Sequence, residues 1–149
     1  MISFASVDVA PLVTWLDAIS LEEWPQQRLG ELRPAMVTDP DWRGFGAVFG
    51  PTIEHLMQRF PAGSLAFQAM LSAVMPGGEI EAHCDQQADY WICRVHVPLT
   101  SNPEARFITR GEAHHLMPGF AYQVDTTVEH AVVNAGETPR VHFMFDVRM

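Results

Sequence analysis

Near residue 63 the hydrophobic period of this 149-residue chain changes from helical to strand-like, and that change constrains its fold more than any other feature. Before it, Val9, Leu12, Val13, Leu16 and Ile19 recur at helical spacing, with Asp8 placed to cap and Pro11 tolerable in a first turn. Ser20 and Glu23 have the spacing of a capping box, although Pro25 restricts how a second helix can be built there. The run from Pro51 to Phe60 predicts a short helix, stopped by Pro61-Ala62-Gly63. After residue 63 the expected strands are Leu65–Val74, Glu79–Asp85, Tyr90–Leu99, Ala105–Thr109, Ala121–Val124, Glu129–Val133 and Arg140–Arg148. Turn signals separate them: Pro76-Gly77-Gly78, Ser101-Asn102-Pro103, Arg110-Gly111, Pro118-Gly119 and Ala135-Gly136. Short strands punctuated this regularly predict a mainly β jelly roll or related barrel, not a parallel α/β sheet. The expected organisation is one domain, 1–149, with a helical supporting segment over 1–62 and a β-barrel core over 63–149.

Hydrophobic residues make up 48% of the chain, enough to fill one ordinary core. No apolar run approaches the roughly 18 residues that a membrane span needs. The N-terminal stretch has no positively charged start, so a cytoplasmic protein without a signal peptide is expected. A formal charge of −9 and the lack of a basic stripe argue against nucleic-acid partners. All nine basic residues are arginine. Without lysine there is neither a Schiff base nor a Walker-type phosphate loop. Gly44, Gly46 and Gly50 loosely resemble a dinucleotide loop, but the last glycine is misplaced, and an ordinary turn region is expected. Cys84 and Cys93 are expected as free thiols.

The chemistry starts at His83-Cys84-Asp85. Alternate residues of a strand share a face, so His83 and Asp85 can point together while Cys84 points away. A histidine from a later strand, best supplied by His130, would complete a 2-His-1-carboxylate set that binds Fe(II) and leaves coordination positions open. Such a pattern is not specific by itself, since polar strand residues would look the same. Arg140, ten residues after His130, adds to it. It opens an alternating strand in which Val141, Phe143, Phe145 and Val147 form an apolar face and Arg140, His142, Met144 and Asp146 the other. A guanidinium near metal-ligating strands suits a dicarboxylate co-substrate, because it matches a carboxylate in a planar two-point pair. Arg94 shares a strand face with His96 in the same manner.

From Leu71 to Asp146 the chain resembles the catalytic domain of aspartyl/asparaginyl β-hydroxylases. The matching landmarks are Ser72, Pro76-Gly77, His83, Arg94-Val95-His96, Asp125, Glu129-His130, Arg140 and Asp146. The resemblance implies a double-stranded β-helix of cupin-like form that holds iron through His83 and His130. It implies that Arg140 and Ser72 bind the distal carboxylate of 2-oxoglutarate, with Arg94 and His96 near its other end or the substrate. Two features depart from the animal enzymes. Asp85 stands where they have glycine, which places this chain nearer the full-triad branch that includes bacterial hydroxylases of free amino acids. The stretch from His83 to Arg94 is also longer, carrying Gln86, Gln87, Asp89, Tyr90 and Trp91 toward the mouth of the site. The helical-repeat domain of the animal enzyme is not expected within these 149 residues.

The expected activity is therefore an Fe(II)- and 2-oxoglutarate-dependent dioxygenase that hydroxylates an amino acid, short peptide or related small molecule. The rival reading is a cupin-type metal-binding protein, which would use His83, Asp85 and His130 but not Arg140. Zinc hydrolysis is a further rival, without a clear general base. Among the other histidines, His55 is expected to be ordinary, His114 and His115 to lie at the surface, and His142 to approach the site. Phe143 and Phe145 are expected in the core.

Overall fold

The computed structural model describes residues 1–28, 31–33 and 41–149. In chain order the elements are β1 (Ser3–Ser6), α1 (Ala10–Asp17), β2 (Gln26–Arg28), β3 (Glu31–Leu32), α2 (Phe45–Met57), β4 (Leu65–Val74) and β5 (Glu79–His83). There follow β6 (Trp91–Thr100), β7 (Ala105–Thr109), β8 (Glu112–His114), β9 (Phe120–Val124), β10 (His130–Asn134) and β11 (Arg140–Arg148). Short 3-10 turns lie at Leu21–Glu23 and Trp42–Gly44.

The strands form two antiparallel sheets. The larger has the order β1-β9-β6-β11-β4-β3-β2, and the smaller β5-β10-β7-β8. Together they make the mainly β, cupin-like barrel that the periodicity and the resemblance imply. β11 runs through the middle of the larger sheet, paired with β4 on one side and β6 on the other. Its alternation divides the molecule. Val141, Phe143, Phe145 and Val147 pack outward with Leu71, Ala73, Val95 and Val97 against the helices. Arg140, His142, Met144 and Asp146 belong to the opposite face, toward the smaller sheet. Between the sheets a second apolar cluster of Val74, Ile80, Phe107, Leu116, Tyr122, Val124 and Val132 walls the site.

The N-terminal helices cover the outer face. In α1, Leu12 and Leu16 are buried, and the Ala10 N–H donates to the Asp8 carboxylate at 3.1 Å. Ser20 makes no side-chain cap, and the expected second helix is only the 3-10 turn before Pro25. α2 corrects two expectations. It begins at Phe45, six residues before the expected start, and takes in most of the glycine-rich stretch read as a turn. Gly44, at φ 72°, supplies the left-handed residue before it. An interior proline costs about 3 kcal/mol and each of Gly46 and Gly50 about 1 kcal/mol. Burying Phe45, Phe49 and Leu56 contributes about 1.5–3 kcal/mol each. Phe45 stacks on Phe49 at 4.4 Å, and Phe49 meets Phe143 of β11 at 4.8 Å. Tertiary burial outweighs local propensity.

The first 62 residues are also not purely helical, since β1, β2 and β3 join the larger sheet. Among the described residues no helix is long and apolar enough to cross a membrane. Both cysteines are free, with Cys84 exposed and Cys93 buried. Burial, with Asp146 and Asp125 nearby, pushes the Cys93 thiol up to about 12.

Candidate metal and anion site

A cleft of about 580 Å³ opens between the sheets, and His83, Asp85, His130, Ser72, Arg94, His96 and Arg140 all line it. The metal end arises from register. His83 and His130 are cross-strand partners of β5 and β10, so neighbouring backbones set their rings 4.4 Å apart. Asp85 is not on a strand. β5 ends at His83, two residues short of the expectation, and Asp85 is held instead by its N–H donating to the Thr126 carbonyl at 2.8 Å. The turn that supplies Thr126 is shaped by Asp125, whose carboxylate accepts the Thr127 N–H at 3.0 Å. That turn leads directly into His130.

His83, Asp85 and His130 each offer a ligand atom, and the three atoms lie within 4.8 Å of one another. The ring orientations fit a metal. Nδ1 of His83 meets the Glu81 carbonyl at 2.8 Å, and Nδ1 of His130 meets the Val128 carbonyl at 2.8 Å. A carbonyl only accepts, so each Nδ1 carries a proton, and in the neutral ring Nε2 is left with the lone pair that can ligate. Nε2 of His83 then faces Asp85 Oδ1 at 3.3 Å. Two lone pairs at that distance repel unless a cation or proton lies between them. Burial holds His130 below the usual histidine range, and the charge of His83 adds to this against the opposing Val128 hydrogen bond and Asp85. A neutral imidazole is the form that ligates. The donor set fits a divalent metal ion.

Arg94 faces this end of the cleft. Its Nη1 donates to Asp85 Oδ2 at 2.8 Å. Its Nε and Nη2 make a two-point pair with Asp146, at 2.8 and 3.0 Å. Burial opposes the Arg94 charge, but Asp146 and Asp85 outweigh it and raise the guanidinium above its ordinary value. Asp146 is fully buried, and the chain from Asp146 through Arg94 fixes one oxygen of Asp85 and turns the other toward the histidines.

The anion end lies across the cleft. Arg140 is 3% exposed, and no described residue makes an ion pair or hydrogen bond with its guanidinium. Burial lowers it to about 10, with Arg33 adding to the shift and Glu31 opposing it. Ser72, opposite His142 in the β4–β11 register, donates its hydroxyl to the buried Glu31. Between the ends sits a buried imidazole pair, His96 and His142, with Nδ1 atoms 3.1 Å apart. Burial first, then nearby arginine charge, hold both well below the usual histidine range.

Sequence reading did not find Glu31 and Arg33 at the anion end, nor Thr126, Phe107 and Gln68. Phe107 stacks on His130 with ring centroids 5.6 Å apart. Gln68 has φ 51° at a bulge in β4, where the register with β11 shifts, and it lines the cleft. Its only sequence signal would have been a polar residue inside an apolar strand. Of the remaining histidines, His55 is exposed, whereas His114 and His115 are half-buried rather than at the surface.

The profile of the aspartyl/asparaginyl beta-hydroxylase family matches residues 46–149, which is most of the chain and includes all seven expected site residues. The chain belongs to this family. It is a 2-oxoglutarate-dependent hydroxylase. Two solved structures share its fold at low identity. One is the viral collagen prolyl hydroxylase of Paramecium bursaria Chlorella virus 1, solved as a 2OG complex. It is 9% identical with a TM-score of 0.64, over 95% of this chain and 91% of that one. The other is an oxidoreductase of the 2OG-Fe(II) oxygenase family from Burkholderia pseudomallei. It is 14% identical with a TM-score of 0.58, over 93% and 78%. No curated protein sequence matches the hydroxylase significantly.

Proposed function

We propose that His83, Asp85 and His130 hold Fe(II) and that Arg140 receives the distal carboxylate of 2-oxoglutarate, with residues 1–149 working as one oxygenase unit. The observation that carries this reading is that a three-ligand group on one wall of the cleft faces a buried arginine on another, which has no ion pair among the described residues. When bound, the metal and co-substrate supply dioxygen activation coupled to decarboxylation of 2-oxoglutarate to succinate, with one oxygen atom delivered to a substrate C–H.

The chain's own residues bind, orient and exclude. Arg94 aims Asp85, so two imidazoles and one carboxylate oxygen would be available to hold the metal. Arg140 matches a carboxylate in a planar pair and has no competing partner to release among the described residues. His96, neutral, offers a ring nitrogen without adding a charge that would repel the metal. Ile80, Phe107, Val132 and Met144 keep that wall of the cleft apolar. Gln86, Gln87 and Tyr90 line the side nearest solvent, where they would meet a polar substrate. A free amino acid, short peptide or related small molecule fits that opening.

The test is production of succinate from 2-oxoglutarate by purified protein with Fe(II) and oxygen. Turnover should depend on Fe(II), stop with chelator and vanish in His130→Ala. Metal binding without succinate from any tested amino acid or peptide, or in uncoupled turnover, would move the reading to a cupin-type metal-binding protein.

A further inference from the structure

The anion end contains a carboxylate of its own, and its placement bears on how the co-substrate is taken. Glu31 lies on β3, opposite Val74 of β4, and its side chain is shut off from solvent. One of its oxygens accepts the Ser72 hydroxyl and sits 3.2 Å from Arg33 Nη2. The other, Oε1, is buried with no hydrogen-bond partner among the described residues, and so is Nε of Arg33. Arg140, which flanks Val74 from the other side in the sheet register and lines the same cleft, is left without an ion pair among the described residues.

A carboxylate that served only to neutralise arginine would be expected to pair both oxygens, and a buried one most of all, because an unmatched polar atom there costs about 1–3 kcal/mol. Glu31 does not. It holds the one hydroxyl proton of Ser72, and a hydroxyl has a single proton to give. A co-substrate carboxylate that takes Ser72 and Arg140 must therefore displace Glu31 from Ser72, or approach a second carboxylate in a site where like charges are poorly screened. β3 is suited to yield. It has only two residues paired with β4, and Arg33, at 26% side-chain exposure, can turn toward solvent with its partner.

The geometry points to Glu31 as a resident competitor for the distal carboxylate of 2-oxoglutarate, a residue that sets co-substrate affinity by holding Ser72 until a dicarboxylate displaces it. This rests on the co-substrate reading above. Glu31 then acts on the distal carboxylate alone and leaves the metal end and the 2-oxo-acid end untouched.

The test is anaerobic calorimetric titration of Fe(II)-loaded wild type, Glu31→Gln and Glu31→Ala with two ligands. One is 2-oxoglutarate. The other is 2-oxopentanoate, which has the same 2-oxo-acid end and chain length but no distal carboxylate. Removing the competing charge should tighten 2-oxoglutarate about tenfold, roughly the effect of one poorly screened like charge. Affinity for 2-oxopentanoate and for Fe(II) should change less than about twofold. Folding of each variant is checked by its thermal melt. Should Glu31→Ala not fold, the near-isosteric Glu31→Gln decides alone. Unchanged or weaker 2-oxoglutarate binding in a folded variant, or equal tightening of both ligands, would overturn the role of Glu31. If metal-loaded wild type bound no 2-oxoglutarate at all, the co-substrate reading itself would fall and this role with it.

Discussion

The two ends of the cleft are built on opposite plans. At the metal end each group is held by another: both Nδ1 atoms by carbonyls two residues back, Asp85 by Arg94, and Arg94 by Asp146. At the anion end Ser72 and Arg33 are paired with Glu31, and other polar groups are left over. Arg140 has no ion pair, and Glu31 Oε1 and Arg33 Nε have no hydrogen bond among the described residues. A metal ion demands fixed distances, and fixed distances need supports that do not move when it arrives. A charged organic ligand demands groups that are not already spent on each other. The second requirement costs stability, and the fold accepts that cost at one end only.

The comparison breaks most visibly if the metal end tolerates loss of a ligand. His130→Ala should lower metal affinity about a hundredfold or more and abolish turnover, read by anaerobic Fe(II) titration and by succinate formation. A variant that kept near-normal metal affinity would remove His130 from the ligand set. Next in size is the support beneath. Asp146→Asn leaves the Arg94 charge without its two-point partner in a buried setting. It should destabilise the fold by about 3 kcal/mol in urea unfolding. A loss near zero would show the metal end to be less prearranged than its hydrogen bonds indicate.

The buried imidazole pair between the ends gives a pH effect. Because His96 and His142 titrate well below 6.5 when folded, the unfolded chain takes up more protons below that pH. Their contribution is complete above about pH 6.5 and is lost as the pH falls from there toward their folded values, at about 1.4 kcal/mol per pH unit for each. His142→Phe should remove one of the two contributions and flatten the acid limb of a stability–pH curve by that amount. An unchanged slope would mean that His142 is protonated in the fold. Smallest is the effect expected at the other end. Arg140→Met removes a buried charge with no ion pair among the described residues, so stability should hold within about 1 kcal/mol or rise slightly. A large loss would show that Arg140 has a structural partner and that the two ends are not opposites.

What the sequence revealed follows from the same physics. β4, β7 and β11 have the expected boundaries, because long strands between two apolar clusters must alternate. The pairing of His83 and His130 was legible as one imidazole per strand at the right interval, although Asp85 reached the group from a loop held by Thr126. β1, β2, β3 and β8 were not expected, since strands of two to four residues have no period of their own and exist through their partners. α2 outran its expected start because aromatic contacts with β11 override its glycines and proline, and those contacts join residues about a hundred positions apart. Glu31 was hidden for a similar reason. A single glutamate between apolar residues has no signature until β3 lays it beside Ser72.

Anaerobic absorption titration with Fe(II) and 2-oxoglutarate separates the metal end of the cleft from the anion end. Wild type should develop the weak visible charge-transfer band of the chelate. Arg140→Met should bind Fe(II) as wild type does but need at least about tenfold more 2-oxoglutarate to reach the same band, the loss of one buried two-point carboxylate pair. No band in metal-loaded wild type, or an Arg140→Met variant with an unchanged 2-oxoglutarate titration or with lost Fe(II) binding, would rule out two ends that work independently in one cleft.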